Sequence, residues 1–214
     1  MEPLNSRDRH WALVLTVASA AVVLVLAARV HHSASPLWLD IQAQRVADGH
    51  LFGFPLVPEH AARLLVSLGN TSVFASLIGA VVLAAVLLRD RIGAVVALVA
   101  GPLALAATEL VGKPLVGRRE GGGYGFPSGH TTAIATVVAL ALLVAYRRGG
   151  LRGLLVVAPV AVIVPAMALA LMRLNWHLFT DTVAGALVGG GTVLGLAWLA
   201  SAVVSRRSPV PIPG

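Results

Sequence analysis

The stretch FPSGHTTAIATVVALALLVAY, residues 126–146, decides the fold. From Pro127 to Tyr146 it carries no Lys, Arg, Asp or Glu, and its length matches the roughly 20 mostly apolar residues that an α-helix needs to cross a bilayer. Arg147 and Arg148 close it. Outward from it, further apolar windows between polar breaks give candidate spans at 11–30, 67–88, 92–112, 127–146, 154–172 and 177–201. The predicted fold is all-α, a polytopic membrane protein of about six transmembrane helices in a bundle. They form a single domain over residues 1–205, with both termini on the same side.

Composition agrees. The chain is 57% hydrophobic and 12% charged, against about 25% charged in an ordinary soluble domain. A pI near 11.4 raises nucleic acid as a partner. The basic residues, however, lie in short groups between apolar runs, as topology determinants do, so no nucleic acid is expected and the bilayer is the expected partner. With no cysteine, disulfides and thiolate metal sites are excluded. The apolar run Trp11–Ala28 exceeds the roughly 7 to 15 residues of a signal-peptide core, which favours a retained first span.

Between the first two spans, Val30 to Val66 contains Pro36, Pro55 and Pro58 with Trp38, Phe52 and Phe54, suiting a lid or interfacial helix. Its His31, His32, His50 and His60 lack ligand-like spacing and read as surface residues. The Pro-rich tail, 206–214, reads as short, disordered and cytoplasmic. Gly185-x-x-x-Gly189 and Gly191-x-x-x-Gly195 in the last span permit close helix contact, either within the chain or in a homodimer.

Charge orients the bundle, because Lys and Arg accumulate in short cytoplasmic loops. A cytoplasmic N-terminus puts Arg7, Arg9, Arg89, Arg91, Arg147, Arg148, Arg152, Arg206 and Arg207 inside. Arg29, Arg45, Arg63, Lys113, Arg118, Arg119 and Arg173 then lie outside. Four of these last seven fall in the polar motifs described next, where ligand binding gives a cation another purpose. Setting them aside leaves nine against three. The expectation is a multi-pass protein of the cell membrane with the motif face extracytoplasmic and both termini cytoplasmic.

Three polar clusters close or open spans on that face. Lys113-Pro-Leu-Val-Gly-Arg118-Arg119-Glu120, followed by Gly121 to Gly123 and Tyr124, sets three cations in a glycine-rich loop; their geometry suits phosphate oxygens or anionic head groups. Pro127-Ser128-Gly129-His130 opens a span, where the first-turn N–H groups are free for an anion. The Ser128 hydroxyl and the Gly129 N–H can donate to phosphate, and His130 is suited to proton transfer near neutral pH. In Arg173-Leu-Asn-Trp-His177-Leu-Phe-Thr-Asp181 the His and Asp are four apart, one helix face. A carboxylate there fixes the imidazole tautomer and leaves the other nitrogen for attack. Glu109, four residues before Lys113, is placed to pair with it. Together the clusters point to a site for a phosphate monoester or anhydride.

These residues resemble the type 2 phosphatidic acid phosphatase family, related to the vanadium haloperoxidases: the basic loop, Pro127-Ser128-Gly129-His130, and the His-x-x-x-Asp about 45 residues downstream, within a motif region of about 113–185. The resemblance implies an integral membrane lipid phosphatase that works without a metal or other cofactor. His177 would attack phosphorus to form a phosphohistidine, Asp181 orient it, and His130 protonate the leaving oxygen and then help activate water. Lys113, Ser128, Gly129 and Arg173 would hold the phosphoryl oxygens. Two positions depart from the family pattern. Glu120-Gly121 stands where the family has Arg-Pro, so Arg118, with Arg119 as substitute, is expected to supply the cation; Glu120 is expected to point away or pair with Arg119. Leu171 stands where the family has an Arg, which Arg173 would replace from a different loop path. The expected substrate is a membrane lipid phosphate such as polyprenyl pyrophosphate, phosphatidic acid or phosphatidylglycerol phosphate. The alternative, a non-catalytic lipid-phosphate binding or transport protein, draws on the two departures.

Overall fold

A computed structural model describes residues 3–51, 54–120 and 123–207. Its helices are α1 (Ser6–Val30), α2 (Trp38–Ala47), α3 (Glu59–Ser67), α4 (Thr71–Leu87), α5 (Arg91–Ala106), α6 (Lys113–Val116), α7 (Gly129–Val157), α8 (Ile163–Arg173) and α9 (Phe179–Arg207). A π-helical stretch, Ala107–Gly112, joins α5 to α6, and a 3-10 turn, Ala158–Val162, joins α7 to α8. Two small antiparallel ribbons pair His50–Leu51 with Phe54–Pro55 and Arg119–Glu120 with Gly123–Tyr124.

The molecule is a helical bundle turned outward for lipid. Large apolar side chains such as Leu24, Leu87, Leu110 and Val156 are exposed, while backbone polar groups are satisfied within helices, as a bilayer requires. By length and hydropathy, four described stretches can cross a membrane: Ser6–Val30, Arg91–Val116, Gly129–Arg173 and Phe179–Arg206. A fifth is the pair α3 and α4, bent by 58°. The expected count of six therefore depends on dividing Gly129–Arg173. That segment does fold back on itself: Ile134 and Val138 of α7 pack with Met167 and Leu171 of α8. Gly150, at φ +57° and ψ −145°, is non-helical within it, a backbone state that glycine enters without steric cost. The helix otherwise continues past Arg147 and Arg148, beyond the expected boundary at 146.

The core lies where α4, α5, α7 and α9 meet, around Phe74, Ile78, Val96, Leu140 and Val193. Small residues set the close approaches. A Cβ at Gly185 or Gly189 would run into the Ser128 and Thr132 carbonyls of α7, and one at Gly191 or Gly195 would press on Ser19 and Thr16 of α1. Both glycine pairs thus make close contacts within the chain, the first of the two uses considered from sequence. Buried threonines are satisfied locally: Thr132 and Thr136 donate to carbonyls one turn back, and Thr108 meets Thr132 at 3.0 Å.

The two ends of the bundle differ. At one, the Leu4 N–H donates to Ser201, Arg9 donates to Ser205, and Tyr146 donates to Asp8, so the start of α1 and the end of α9 lie together. Asp90 there is gripped by Arg147 through three hydrogen bonds of 2.9–3.1 Å. At the opposite end, the His32 N–H donates to Val116 and the Ser128 N–H to Asp181, gathering all three sequence motifs. The Val30–Val66 segment crosses this end as α2 and α3, both packed on α8. Its Trp38 is 69% exposed, as an interfacial residue would be. The side chain of Glu120 and the tail from residue 208, on which two of the sequence expectations fall, lie outside the described residues.

Candidate active site

Each motif residue is delivered by a local turn of chain. Ser128 is the N-cap of α7, accepting from the Thr131 N–H at 3.4 Å, so the free N–H groups of the first turn open at Gly129 and His130. Asp181 sits in the first turn of α9, where its Oδ2 accepts from the Leu178 N–H at 3.1 Å, an acid at a positive helix end. His177 lies in the turn before α9, not on the helix itself. Lys113 follows the π-helical stretch, and its Nζ donates to Glu109 at 2.8 Å, the pairing expected from their spacing.

These segments enclose one cavity of about 660 Å³ lined by Glu109, Lys113, Gly123, Tyr124, Gly129, His130, Asn175, Trp176 and His177. Its remaining wall is Gly69, Thr71, Phe74 and Leu105, from the bend before α4, from α4 itself and from α5. Two histidines, a lysine and a helix N-terminus thus face one space, with apolar side chains along one flank. Trp176 meets the His130 ring edge-on at 6.1 Å. At Gly129 the Glu109 carboxylate lies where a Cβ would be, and Lys113 is within 3.9 Å of that point, so glycine keeps backbone and charge pair in contact.

Behind the cavity His177 Nδ1 is 3.9 Å from Asp181 Oδ2, within ion-pair range and longer than a direct hydrogen bond. Catalytic hydrogen bonds are often long without substrate.

The remaining expected phosphate ligands are placed differently. Arg118 is completely buried and does not line the cavity. Gly117, in the left-handed region at φ +64°, ends α6 and turns Arg118 inward. There its two terminal nitrogens donate to Asp181 Oδ1 and Thr180 Oγ1, both at 2.8 Å, to Asp40 Oδ2 at 3.1 Å and to the Ser35 carbonyl at 3.3 Å. Its terminal nitrogens are thus engaged by two carboxylates, a hydroxyl and a carbonyl, away from the cavity where Arg118 was expected to meet phosphate. Arg173 is 4.0 Å from Asp48 and also lies off the cavity lining. Arg119 is exposed, its guanidinium 5.9 Å from the centre of the cavity-lining Tyr124 ring. Ser128 is buried and acts as the cap.

Sequence reading missed Asn175 and Trp176 as cavity walls, although both lie within the third motif. It also missed Asp40, whose partner Arg118 is 78 residues away; no local pattern could have joined them.

The PAP2 superfamily profile matches residues 9–205. None of the curated protein sequences compared with the chain matches it. Among solved structures it is similar to the crystal structure of a transmembrane PAP2 type phosphatidylglycerolphosphate phosphatase from Bacillus subtilis, with a TM-score of 0.64 at 16% identity, covering 90% of this chain and 97% of that one. That likeness is one of fold. With nearly the whole chain inside the family profile, and its three motifs gathered at one end of a membrane bundle, the chain belongs to the PAP2 superfamily.

Proposed function

We propose that the protein is an integral membrane lipid phosphatase that acts through a phosphohistidine on His177. The observation that carries this reading is the convergence of His177, His130, Lys113 and the Gly129 helix start on one cavity, with Asp181 behind His177. In the first step His177 Nε2 attacks phosphorus, the bond from phosphorus to the lipid oxygen breaks, and His130 gives that oxygen a proton. In the second, water attacks the phosphohistidine and passes a proton to His130. The P–N bond breaks, inorganic phosphate leaves, and both histidines return to their starting states.

Lys113 and the N–H groups at Gly129 and His130 hold the phosphoryl oxygens, stabilising charge that grows in the transition state. Arg119, carried on the ribbon beside Tyr124, is the further cation able to swing to the phosphate. Ser128 supports the helix start from beneath, and Arg173 acts on the loop that carries His177. Fixed cations and N–H donors supply the electrostatics, so no metal enters the reaction as written.

A lipid is favoured over a soluble phosphate by the apolar Phe74 and Leu105 flank of the cavity and by the membrane-spanning helices around it. Phosphatidylglycerol phosphate, the substrate class in the name of the Bacillus subtilis protein, stands beside phosphatidic acid and polyprenyl pyrophosphate as a candidate. The motif face is placed on the extracytoplasmic side. Purified protein offered these three lipids in detergent with chelator is expected to release phosphate from at least one of them, and H177A from none. Wild-type protein that binds the lipids without releasing phosphate would establish the binding or transport alternative.

A further inference from the structure

Arg118 lies between two carboxylates. Asp181 Oδ1 takes one terminal nitrogen and Asp40 Oδ2 the other, and all three side chains are buried to 1% exposure or less. Asp40 comes from α2, the short helix on the motif face. Its Oδ1 accepts from the Thr180 N–H at 2.8 Å, and its Oδ2 also accepts from the Leu37 N–H at 2.8 Å. One cation and two anions leave a net charge of −1 immediately behind His177. On the cavity side, Lys113 and Glu109 form a neutral pair beside His130. An Arg118–Asp181 pair alone would also sum to zero, and the guanidinium would cancel the pull of Asp181 on the imidazole. Asp40 restores it.

We propose that Asp40 is a positioning residue for catalysis: through Arg118 it sets the net negative charge behind His177 while fixing the start of α9 against α2. This rests on His177 being the nucleophile. Attack on phosphorus places positive charge on the imidazole ring. A buried negative charge behind the ring stabilises that charge more strongly than water could, because the surroundings are poorly screening and already organised. The guanidinium meanwhile keeps the carboxylates apart, holding Asp181 toward His177.

The test separates charge from packing in the full-length, detergent-solubilised enzyme, with radiolabelled phosphatidic acid as the probe and rapid quenching to trap phosphoenzyme. Asp40→Asn keeps the shape and removes the charge; Asp40→Glu keeps the charge and strains the shape. D40N is expected to lower kcat and the rate of phosphoenzyme formation about 10- to 100-fold, the range found when a supporting shell is lost around a reactive group, with KM changed less than about twofold. D40E is expected to keep more activity than D40N. In D40A, which opens space next to the cavity of about 250 Å³ lined by Asp40, Gln44 and Leu178, formate is expected to restore turnover and formamide not.

The double variant D40N/R118Q removes both charges and returns the net charge to −1 on Asp181. It is expected to exceed D40N in kcat, or to come within about tenfold of wild type if D40N does not fold. D40N more active than D40E, equal rescue by formamide, or a double variant slower than D40N would each overturn the proposal and leave Asp40 a packing residue. Failure of the underlying reading is distinguishable, because wild-type protein would then bind the lipid without releasing phosphate, or turn over with no label on His177.

Discussion

His130 and His177 reach the same cavity along different routes, one from the first turn of α7 and one from the turn before α9. Their proposed roles predict different losses. His130→Ala removes the proton donor and is expected to lower kcat by about 10² to 10⁴, the usual worth of general acid catalysis. The loss should be smaller for substrates whose leaving oxygen needs no proton, such as a nitrophenyl phosphate. Asp181→Asn is expected to be at least as severe, since it disturbs the His177 tautomer and also leaves Arg118 with only one carboxylate. Steady-state kinetics on matched lipid and nitrophenyl substrates would check both. Much of this site was legible in sequence, because short motifs place His130, His177, Asp181, Lys113 and Glu109 by local spacing. Arg118 was not. Near a phosphate site an arginine in a glycine-rich loop looks like a ligand, and only the inward turn at Gly117 and the distant Asp40 reveal it as buried and paired.

The helices owe their packing to where glycine stands. Gly189 has no room for a Cβ beside α7, whereas Gly190 has nothing within 4 Å. G189A is therefore expected to destabilise the bundle by about 1–3 kcal/mol through overpacking. G190A is expected to be neutral or to stabilise α9 by up to about 1 kcal/mol, the propensity difference between the two residues. Thermal unfolding midpoints in detergent should separate the pair clearly. At the far end of the bundle, D90A removes the carboxylate that caps α5 and takes three hydrogen bonds from Arg147, expected to cost about 1.5–3 kcal/mol. Turnover per folded molecule should not change, since the cavity lies at the other end. Hydropathy located the apolar helices, though not their number as spans, because apolar length is a local property. It did not foresee the π-helical stretch before Lys113, the 58° bend ahead of α4, or the helix running on through Arg147. Those depend on which neighbouring helices supply contacts.

For the molecule as a whole, one end gathers both described termini and the Asp90–Arg147 pair, and the other gathers the motifs. We propose, from the arginine distribution, that the first faces the cytoplasm. The chain contains no cysteine, so single exposed sites can be labelled without background. Ala34→Cys, at the motif end, is expected to react with an impermeant maleimide on intact cells, and Gly149→Cys, at the other end, only after permeabilisation. The reverse pattern would turn the site to the cytoplasm. In the proposed function, the motif end of the bundle does covalent chemistry on a lipid phosphate. This chemistry is tested most directly by quenching the enzyme during turnover of radiolabelled lipid phosphate and mapping the modified residue. An acid-labile, base-stable phosphoryl group is expected on His177, absent from H177A together with phosphate release. Undiminished phosphate release by H177A, or wild-type turnover with label on another residue, would contradict it.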